Sequence, residues 1–442
     1  MIAALLVYGA AVLLVGLLAA RASSRGREAF LVGDRSFGGI AAWAALSSTT
    51  IGGSTTLVLA VLVARQGLPG LWLDLAGAFG LAVLGLFLAR KVRATGAVTI
   101  AEVIGRAYGP GVRKVAAALV VAAEIVWFAL LSEATAIVLS AATPWAPRPV
   151  LVATTLVFVA YTLLGGQRAV VFTDVLQFGL MTVGLVAIVL PLAVRSLATT
   201  GVDAALLTFP FGPRFSGLDA AVLLVLVGLP HAVGSDVWAK LLSARDETAA
   251  RRAALGAAVS KVVFGLSTAT IALAGTALGL GAGPDLFPRT VVTLAGGGLA
   301  PFLLVAMVAT MQSSSDSVLL SAAAATVNDL LPPRFATPGW GRLFVTLYGA
   351  FGLVLALALA DLIETFRLGY TLFASGLILP ALAAFVPGVR VERRFAAAAM
   401  LAGGAAAMTE RFLGLSGVDP VLVGTGLNAV VLLTGLRRVG TR

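Results

Sequence analysis

The sequence predicts an all-α, polytopic membrane protein of about thirteen transmembrane helices. Of its 442 residues, 60% are hydrophobic and only 12% are charged, and the mean hydropathy is +1.03. A soluble domain does not have this balance. The apolar segments are long enough to cross a bilayer. We predict spans at about 1–20, 38–63, 70–89, 113–141, 149–164, 169–194, 217–239, 253–281, 299–328, 341–360, 365–386, 394–412 and 418–436.

The net charge of +11 is explained by topology. If the N-terminus faces outward, the connections on the inner side and Lys261 together carry 24 of the 31 lysines and arginines, and 7 face outward. Cytoplasmic loops carry such an excess of cations. Residues 1–20 lack a cationic leading region, so they are predicted to be an anchor helix and not a signal peptide. We therefore expect a bacterial or archaeal cytoplasmic membrane, with the C-terminus in the cytoplasm.

The residue inventory excludes several classes of site. There is no cysteine and only one histidine, which excludes disulfides, iron–sulfur clusters and histidine clusters for zinc or copper. The sequence contains no nucleophile–base pair or phosphate-binding loop, so we expect no enzyme activity. Oxygen atoms are the ligands that are left for an ion.

Hydroxyl groups are concentrated in one apolar segment, between Ala306 and Ser321. At 100° per residue, Thr310, Ser313, Ser314 and Ser317 fall on one helix face, with Asp316 to the side. Polar groups at this depth usually mark an ion or solute pathway, and oxygen ligands favour a hard cation. The alternative is that these hydroxyls bond back to their own helix.

Two predicted spans contain helix-breaking residues. The segment 38–63 has two glycines and seven hydroxyl residues at its centre, and the segment 217–239 contains Gly228, Pro230 and Gly234. Irregular backbone in a bilayer lines a cavity or is buried in protein, and paired broken helices indicate an inverted-repeat transporter. The predicted repeats are 38–194 (core helices 1–5) and 217–386 (core helices 6–10), with an extra helix at 1–20 and two more within 394–436.

Four motifs carry a resemblance to a known family. They are ATMQSSSDSVLLSAAAATVNDL (309–330), YTLLGGQRAVVFTDVLQFGLM (161–181), FLVGDRSFGG (30–39) and SDVWAKLLSARDETAARRA (235–253). Over about residues 28–390 the chain resembles the sodium:solute symporter family, which includes sodium/sugar, sodium/proline and sodium/sialic acid carriers. The resemblance implies a leucine-transporter-like fold of ten core helices, of which helices 1 and 6 are broken.

The resemblance also implies a sodium site between core helices 1 and 8. The family pattern places its backbone carbonyl ligands at Thr50, Gly53 and Thr310, and its hydroxyl ligands at Ser313 and Ser314. Neutral oxygens suit Na⁺ and attract Ca²⁺ poorly. Gly52 stands where proline-transporting members have an aspartate, which argues against a proline-type mechanism.

Some members bind a second sodium ion between core helices 5 and 8. The positions that match are Asp174, Asp316 and Ser317, together with Ser313. For Asp174, a carboxylate near a helix N-terminus and a gating role are the alternatives.

Four further residues are predicted to contact the solute. Asp74 and Lys261 match positions where sugar carriers contact their substrate. The alternative for Asp74 is a charge at the level of the lipid headgroups, and the alternative for Lys261 is a side chain that snorkels to the membrane surface. Glu133 lies deep in the fourth span. His231 follows the proline of the broken seventh span. It is predicted to form a hydrogen bond with the solute, and the alternative is a histidine that packs in the protein core.

These observations predict a monomeric sodium-coupled symporter that imports a small polar solute by alternating access. A sugar, an amino acid derivative and an organic anion all remain open as the solute. The alternatives are a non-transporting sensor of the same fold and a sodium-independent uniporter. Because no signalling domain follows the last predicted span, we expect transport. Nucleic acid is not an expected partner.

Overall fold

The chain is helical almost throughout, because a backbone in hydrocarbon must satisfy its own hydrogen bonds. The computed structural model describes residues 2–21, 27–359 and 361–438. Arg25 and Arg442, two of the predicted cytoplasmic cations, lie outside the described residues. The helices are α1 (Ile2–Arg21), α2 (Arg27–Val32), α3 (Gly39–Thr50), α4 (Ser54–Gln66), α5 (Leu68–Ala94), α6 (Ile100–Tyr108), α7 (Pro110–Ala141), α8 (Pro147–Leu164), α9 (Gly166–Thr200), α10 (Gly217–Ser243), α11 (Glu247–Ala277), α12 (Leu286–Leu330), α13 (Pro338–Leu359), α14 (Leu362–Ala383), α15 (Arg393–Leu413) and α16 (Pro420–Thr434).

Short elements complete the fold. Single helical turns lie at Gly33–Arg35, Ala204–Leu207 and Pro333–Phe335. Near the C-terminus, β1 (Val389–Val391) pairs in an antiparallel ladder with β2 (Leu436–Arg438).

Nine helices of the described residues are long and apolar enough to cross a membrane, and the bent pair α3–α4 makes a tenth candidate. Shorter apolar helices lie at Ile2–Leu18 and Pro420–Thr434. The all-α membrane class is confirmed by this arrangement. The count of thirteen spans and the repeat boundaries stay predictions.

The first predicted break separates α3 from α4, whose axes differ by 56°. The α-helix ends at Thr50, and Ile51 has φ −109° and ψ 72°. A Cβ atom on Gly52 would lie 2.7 Å from the Ser314 hydroxyl oxygen. A larger residue at this position would therefore require the Ser314 side chain to shift.

The second break lies in α10 at Gly234, where φ is −54° and ψ is 139°. Gly228 and Pro230 do not form the break. Gly228 ends a π-helical turn and Pro230 lies in the first turn of Leu229–Val233, where its missing N–H costs little. Only the last of the three predicted breakers interrupts the helix.

The hydroxyl-rich helix α12 lies at the centre of the bundle and packs against α3, α7 and α9. All residues from Leu303 to Ala325 are buried. These hydroxyls therefore face protein, where hydrogen-bond partners are available, and not lipid.

Candidate functional site

The polar face of α12 meets the C-terminal end of α3. The Ser313 hydroxyl donates to the Ser48 carbonyl oxygen at 3.0 Å, and the Ser314 hydroxyl donates to the Thr49 carbonyl oxygen at 2.8 Å. The same hydroxyls lie 3.0 and 3.4 Å from the Thr310 carbonyl oxygen. Three backbone carbonyls and two hydroxyls thus converge between the two helices.

The carbonyls at the end of α3 are free to accept hydrogen bonds from other helices for a local reason. The last four carbonyls of an α-helix have no partner within the helix, and they form the negative end of its dipole. At the end of α3, hydroxyls of α12 contact two of them. The Thr50 carbonyl oxygen, also at this end of α3, accepts a hydrogen bond from the Lys261 ammonium at 2.7 Å. The end of α3 is therefore a place where positive charge is favoured.

The predicted sodium ligands are only partly brought together. Thr310, Ser313 and Ser314 converge, but their contacts on α3 are the carbonyls of Ser48 and Thr49 instead of Thr50 and Gly53. Gly53 lies in the break, close to Met311 and Leu131. The oxygen set is neutral, which fits Na⁺. The ligand roles themselves stay predictions.

Lys261 and Asp74 form a buried ion pair behind the first break. Their Nζ and Oδ1 atoms are 3.1 Å apart, and each side chain is 1% exposed. The Thr55 hydroxyl accepts from Lys261 at 2.6 Å and donates to Asp74 at 3.1 Å. Asp74 thus faces the protein interior, and Lys261 does not snorkel to the protein surface.

The residues predicted for a second sodium ion each have a partner. Asp174 Oδ2 lies 2.7 Å from the ammonium of Lys240, which is also buried. Asp316 Oδ1 accepts from the Thr162 hydroxyl at 2.8 Å. The Ser317 hydroxyl donates to the Ser313 carbonyl at 2.9 Å.

A central cavity lies between the two breaks and is lined by residues from both. Among the described residues that line it, none is a lysine or an arginine. Its lining consists of Thr49, Thr50, Gly52, Gly53, Ser54, Trp127, Leu130, Leu131, Pro230, His231, Gly234, Asp236, Val237, Ser314, Val318 and Tyr370. The site therefore combines aromatic rings, hydroxyls and one carboxylate next to the end of α3.

The four predicted solute residues do not form one pocket. His231 lines the central cavity, where its ring stacks on Tyr370 at 6.3 Å and its Nδ1 lies 2.8 Å from the Val227 carbonyl oxygen. Glu133 lies in a second cavity with Arg148, Asp285 and Asp361. Asp74 and Lys261 neutralise each other and do not line the central cavity.

Trp127, Asp236 and Tyr370 are among the cavity residues that the sequence analysis did not identify. The rings of Trp127 and Tyr370 lie 5.2 Å apart on α7 and α14. The sequence does not distinguish a single aromatic residue that lines a binding cavity from one that packs in the core of apolar helices. Asp236 follows the Gly234 break by two residues, and that position was a usable signal.

Comparison with known proteins agrees with the predicted family. Residues 30–208 match the family described as "Sodium:solute symporter family". That segment includes the first broken helix and the predicted junction between core helices 4 and 5.

Curated relatives are transporters, not enzymes. A "High affinity choline transporter 1" from Homo sapiens is 27% identical over 352 residues, covering 72% of this chain and 60% of the relative. A "High-affinity choline transporter 1" from Torpedo marmorata is 26% identical and covers 67% of this chain and 54% of the relative. The matched region spans less than two thirds of the length of these relatives.

Solved structures share the fold along most of the chain. A structure described as the "Substrate-bound outward-open state of a Na+-coupled sialic acid symporter" matches with a TM-score of 0.80 at 18% identity, covering 98% of this chain and 96% of that one. A transporter of the nucleobase-cation-symport-1 family matches with a TM-score of 0.63 at 16% identity, with 92% of each chain covered. Residues 30–208 are therefore similar to the sodium:solute symporter family, and the chain as a whole has a leucine-transporter-like fold.

Proposed function

We propose that this chain is a sodium-coupled symporter that moves a small polar solute across a membrane by alternating access. One observation carries the proposal. The end of broken helix α3, the hydroxyls of α12 and the break of α10 all meet at one cavity. In transporters built from inverted repeats, coupling ions and solute bind at such broken helices.

The proposed ion position is the negative end of α3. Na⁺ would be held there by backbone carbonyls of α3 and Thr310 and by the hydroxyl oxygens of Ser313 and Ser314, whose protons would rotate away. Such an ion bridges α3 and α12, and so stabilises one arrangement of the broken helix.

A second sodium ion near Asp174, Asp316 and Ser317 is a separate proposal. Two buried carboxylate oxygens, Asp174 Oδ1 and Asp316 Oδ2, have no hydrogen-bond partner among the described residues. They support a further cation there, although Lys240 already neutralises one of the two charges.

The cavity chemistry favours a solute that carries positive charge. Trp127, His231 and Tyr370 present aromatic rings, and the Asp236 carboxylate is the acidic group in the lining. Aromatic rings attract cations, above all quaternary ammonium groups. Curated relatives are named as choline transporters, so choline is the first solute to test. An organic anion would find no basic side chain among the described residues that line the cavity.

Coupling gives the decisive experiment. If Na⁺ and solute share one conformational equilibrium, each tightens the binding of the other by the same factor, typically about 5–150-fold. We would titrate purified protein with choline in Na⁺ and in K⁺, and measure [¹⁴C]choline uptake into proteoliposomes with and without a Na⁺ gradient. Uptake that depends on the gradient is expected. Uptake that is equal in Na⁺ and K⁺ would instead indicate a uniporter.

The sensor alternative predicts a different pair of results. A sensor would bind choline more tightly in Na⁺ than in K⁺, but it would show no choline uptake into proteoliposomes. Because binding and uptake are measured on the same preparation, failure of uptake cannot be confused with misfolding.

The orientation and location are also proposed. The cation distribution supports an N-terminus outside and a C-terminus in the cytoplasm of a cytoplasmic membrane, and we propose the monomer as the working unit. A reporter fused at the C-terminus should be active on the cytoplasmic side, and periplasmic activity would contradict this topology.

A further inference from the structure

The N-terminal helix α1 is tied to the bundle by one buried tyrosine. The Tyr8 hydroxyl donates to Gln312 Oε1 at 2.7 Å and accepts from Gln177 Nε2 at 2.9 Å. The three side chains are 7%, 4% and 0% exposed. Two hydrogen bonds therefore join α1, α9 and α12 in the protein interior.

The position of Gln312 gives this connection a consequence. Gln312 immediately precedes Ser313 and Ser314, whose hydroxyls contact the end of α3. Successive residues of a helix point about 100° apart. Gln312 therefore faces α1 and α9 while the serines face α3, and a bond at Gln312 fixes the rotation of α12 without touching the ion.

The remainder of α1 provides little directional contact. Leu6, Val7 and Leu14 are 67%, 70% and 58% exposed, as expected for side chains that face lipid. Apolar packing is non-directional, whereas hydrogen bonds require a narrow range of distance and angle. Of the contacts of α1, the Tyr8 hydroxyl is the one suited to set a helix rotation.

We infer that Tyr8 is a positioning residue for the sodium site. It holds α12 so that Ser313 and Ser314 face the carbonyls of α3, and so makes a helix outside the predicted repeats part of the ion-binding machinery. This inference rests on the sodium site proposed above.

Loss of the hydroxyl has a defined structural outcome. Without it, the Gln312 carbonyl oxygen and the Gln177 amide lose their shared partner in a buried setting. Each amide then satisfies its hydrogen bonds best with the other, which draws α12 towards α9 and turns the serine hydroxyls away from α3. Na⁺ affinity should fall, while the solute wall of Trp127 and Tyr370 stays in place.

Tyr8→Phe tests the inference because it removes one oxygen and keeps the ring. We expect the Kd for ²²Na⁺ of purified full-length protein to rise by about three- to tenfold, the equivalent of one hydrogen bond. The Na⁺ concentration for half-maximal choline uptake should rise equally, with the KM for choline at saturating Na⁺ unchanged. The Tm without Na⁺ should change little.

Tyr161→Phe is the matched control. The Tyr161 hydroxyl is also buried and lies 2.7 Å from the Thr173 hydroxyl, which is in α9, so it does not tether α12. This variant should keep wild-type Na⁺ affinity. Gln312→Met should reproduce the Tyr8→Phe shift, and the double variant should show no further loss, because both changes break one connection.

Several results would overturn the inference. Wild-type Na⁺ affinity in Tyr8→Phe, a lower Tm with unchanged Na⁺ affinity, or additive losses in the double variant would each do so. If Tyr8→Phe fails to fold, Gln312→Met breaks the same bond to α12 and must by itself give the shift in Na⁺ affinity. Wild-type protein that binds no ²²Na⁺ would refute the proposed sodium site instead.

Discussion

The two broken helices present opposite ends to the central cavity. At the first break, α3 ends and exposes backbone carbonyls, which contact Ser313, Ser314 and Lys261. At the second break, a new helical segment starts after Gly234, and the Asp236 carboxylate accepts from the Val237 N–H at 2.8 Å. One break thus offers the negative end of a helix dipole, and the other the positive end.

This difference separates the roles of the two breaks. At the negative end of α3, the Lys261 ammonium contacts the Thr50 carbonyl, whereas the Ser48 and Thr49 carbonyls contact neutral hydroxyls and suit a bound cation. The positive end at Gly234 is already occupied by the carboxylate of Asp236, so it has less to offer an anionic solute. A cationic solute that faces Asp236 and the aromatic rings fits this arrangement better.

The largest expected effect comes from removing the cation at the first break. Lys261→Ala leaves Asp74 charged and unpaired in the interior, which costs about 3–5 kcal/mol of unfolding free energy. Lys240→Ala, in the other buried lysine–aspartate pair, is the matched control and should be similarly destabilising. Lys261→Ala should be partly rescued by Na⁺, because it also frees the Thr50 carbonyl. Thermal unfolding with and without Na⁺ measures both effects.

A charge-neutral double variant sharpens this result. Replacing both partners of a buried pair is often close to neutral, so Lys261→Met with Asp74→Leu should recover most of the lost stability. If the double variant is as unstable as Lys261→Ala, the pair does not explain the loss.

The next effect concerns the hydroxyls that contact the first break. Ser313→Ala and Ser314→Ala should each weaken Na⁺ binding by about 1–2 kcal/mol, the scale of a lost buried polar contact. Since bound ligand stabilises the folded state, the rise of Tm with Na⁺ should be smaller in these variants. Ser315→Ala is the control, because its hydroxyl bonds back to Met311 within α12. Equal shifts in all three variants would place the ion elsewhere.

A smaller effect is expected at the aromatic wall beside the second break. Trp127→Leu and Tyr370→Leu should each weaken choline binding by about 0.5–2 kcal/mol, the range of cation–π interactions, and leave Na⁺ binding unchanged. Phe366→Leu is the control, since Phe366 packs on Tyr370 at 4.7 Å but does not line the cavity. Isothermal titration with choline would detect the difference, and equal loss in the control would point to packing.

The smallest effect lies away from both breaks, at Glu102 in α6. Burial raises the pKa of Glu102, but hydrogen bonds from the Val98 N–H, Arg106 and Asn328 outweigh it and hold the pKa below its usual value. Its contribution to stability is therefore present above the unfolded pKa of 4.5 and is lost as pH falls through the folded value. Glu102→Gln should lower stability by about 0.5–1 kcal/mol at pH 7. The Tm of this variant should approach the Tm of wild type as the pH is lowered. A difference in Tm that is the same at all pH values would show that the ionised Glu102 carboxylate is not its cause.

Several features could be predicted because they depend on local composition. The all-α membrane class follows from the apolar segments, and the hydroxyl run on α12 was recognised as one polar helix face. The break at Gly52 and Gly53 was correctly located. In α10, the sequence contains three helix-breaking residues, and only Gly234 interrupts the helix. Residue spacing alone does not show that Gly228 lies in a π-helical turn or that Pro230 lies in the first turn of the following segment.

The sequence by itself determined that this chain crosses a membrane, that two of its helices are interrupted, and that an oxygen-rich face lies on a third. Those properties depend on residue type and spacing along one segment. Only the tertiary structure decided which carbonyls meet Ser313 and Ser314, that Lys261 pairs with Asp74, and that Glu133 lies in another cavity. Each of these depends on how far one helix is rotated and translated against another, and a helix one residue out of register presents a different side chain.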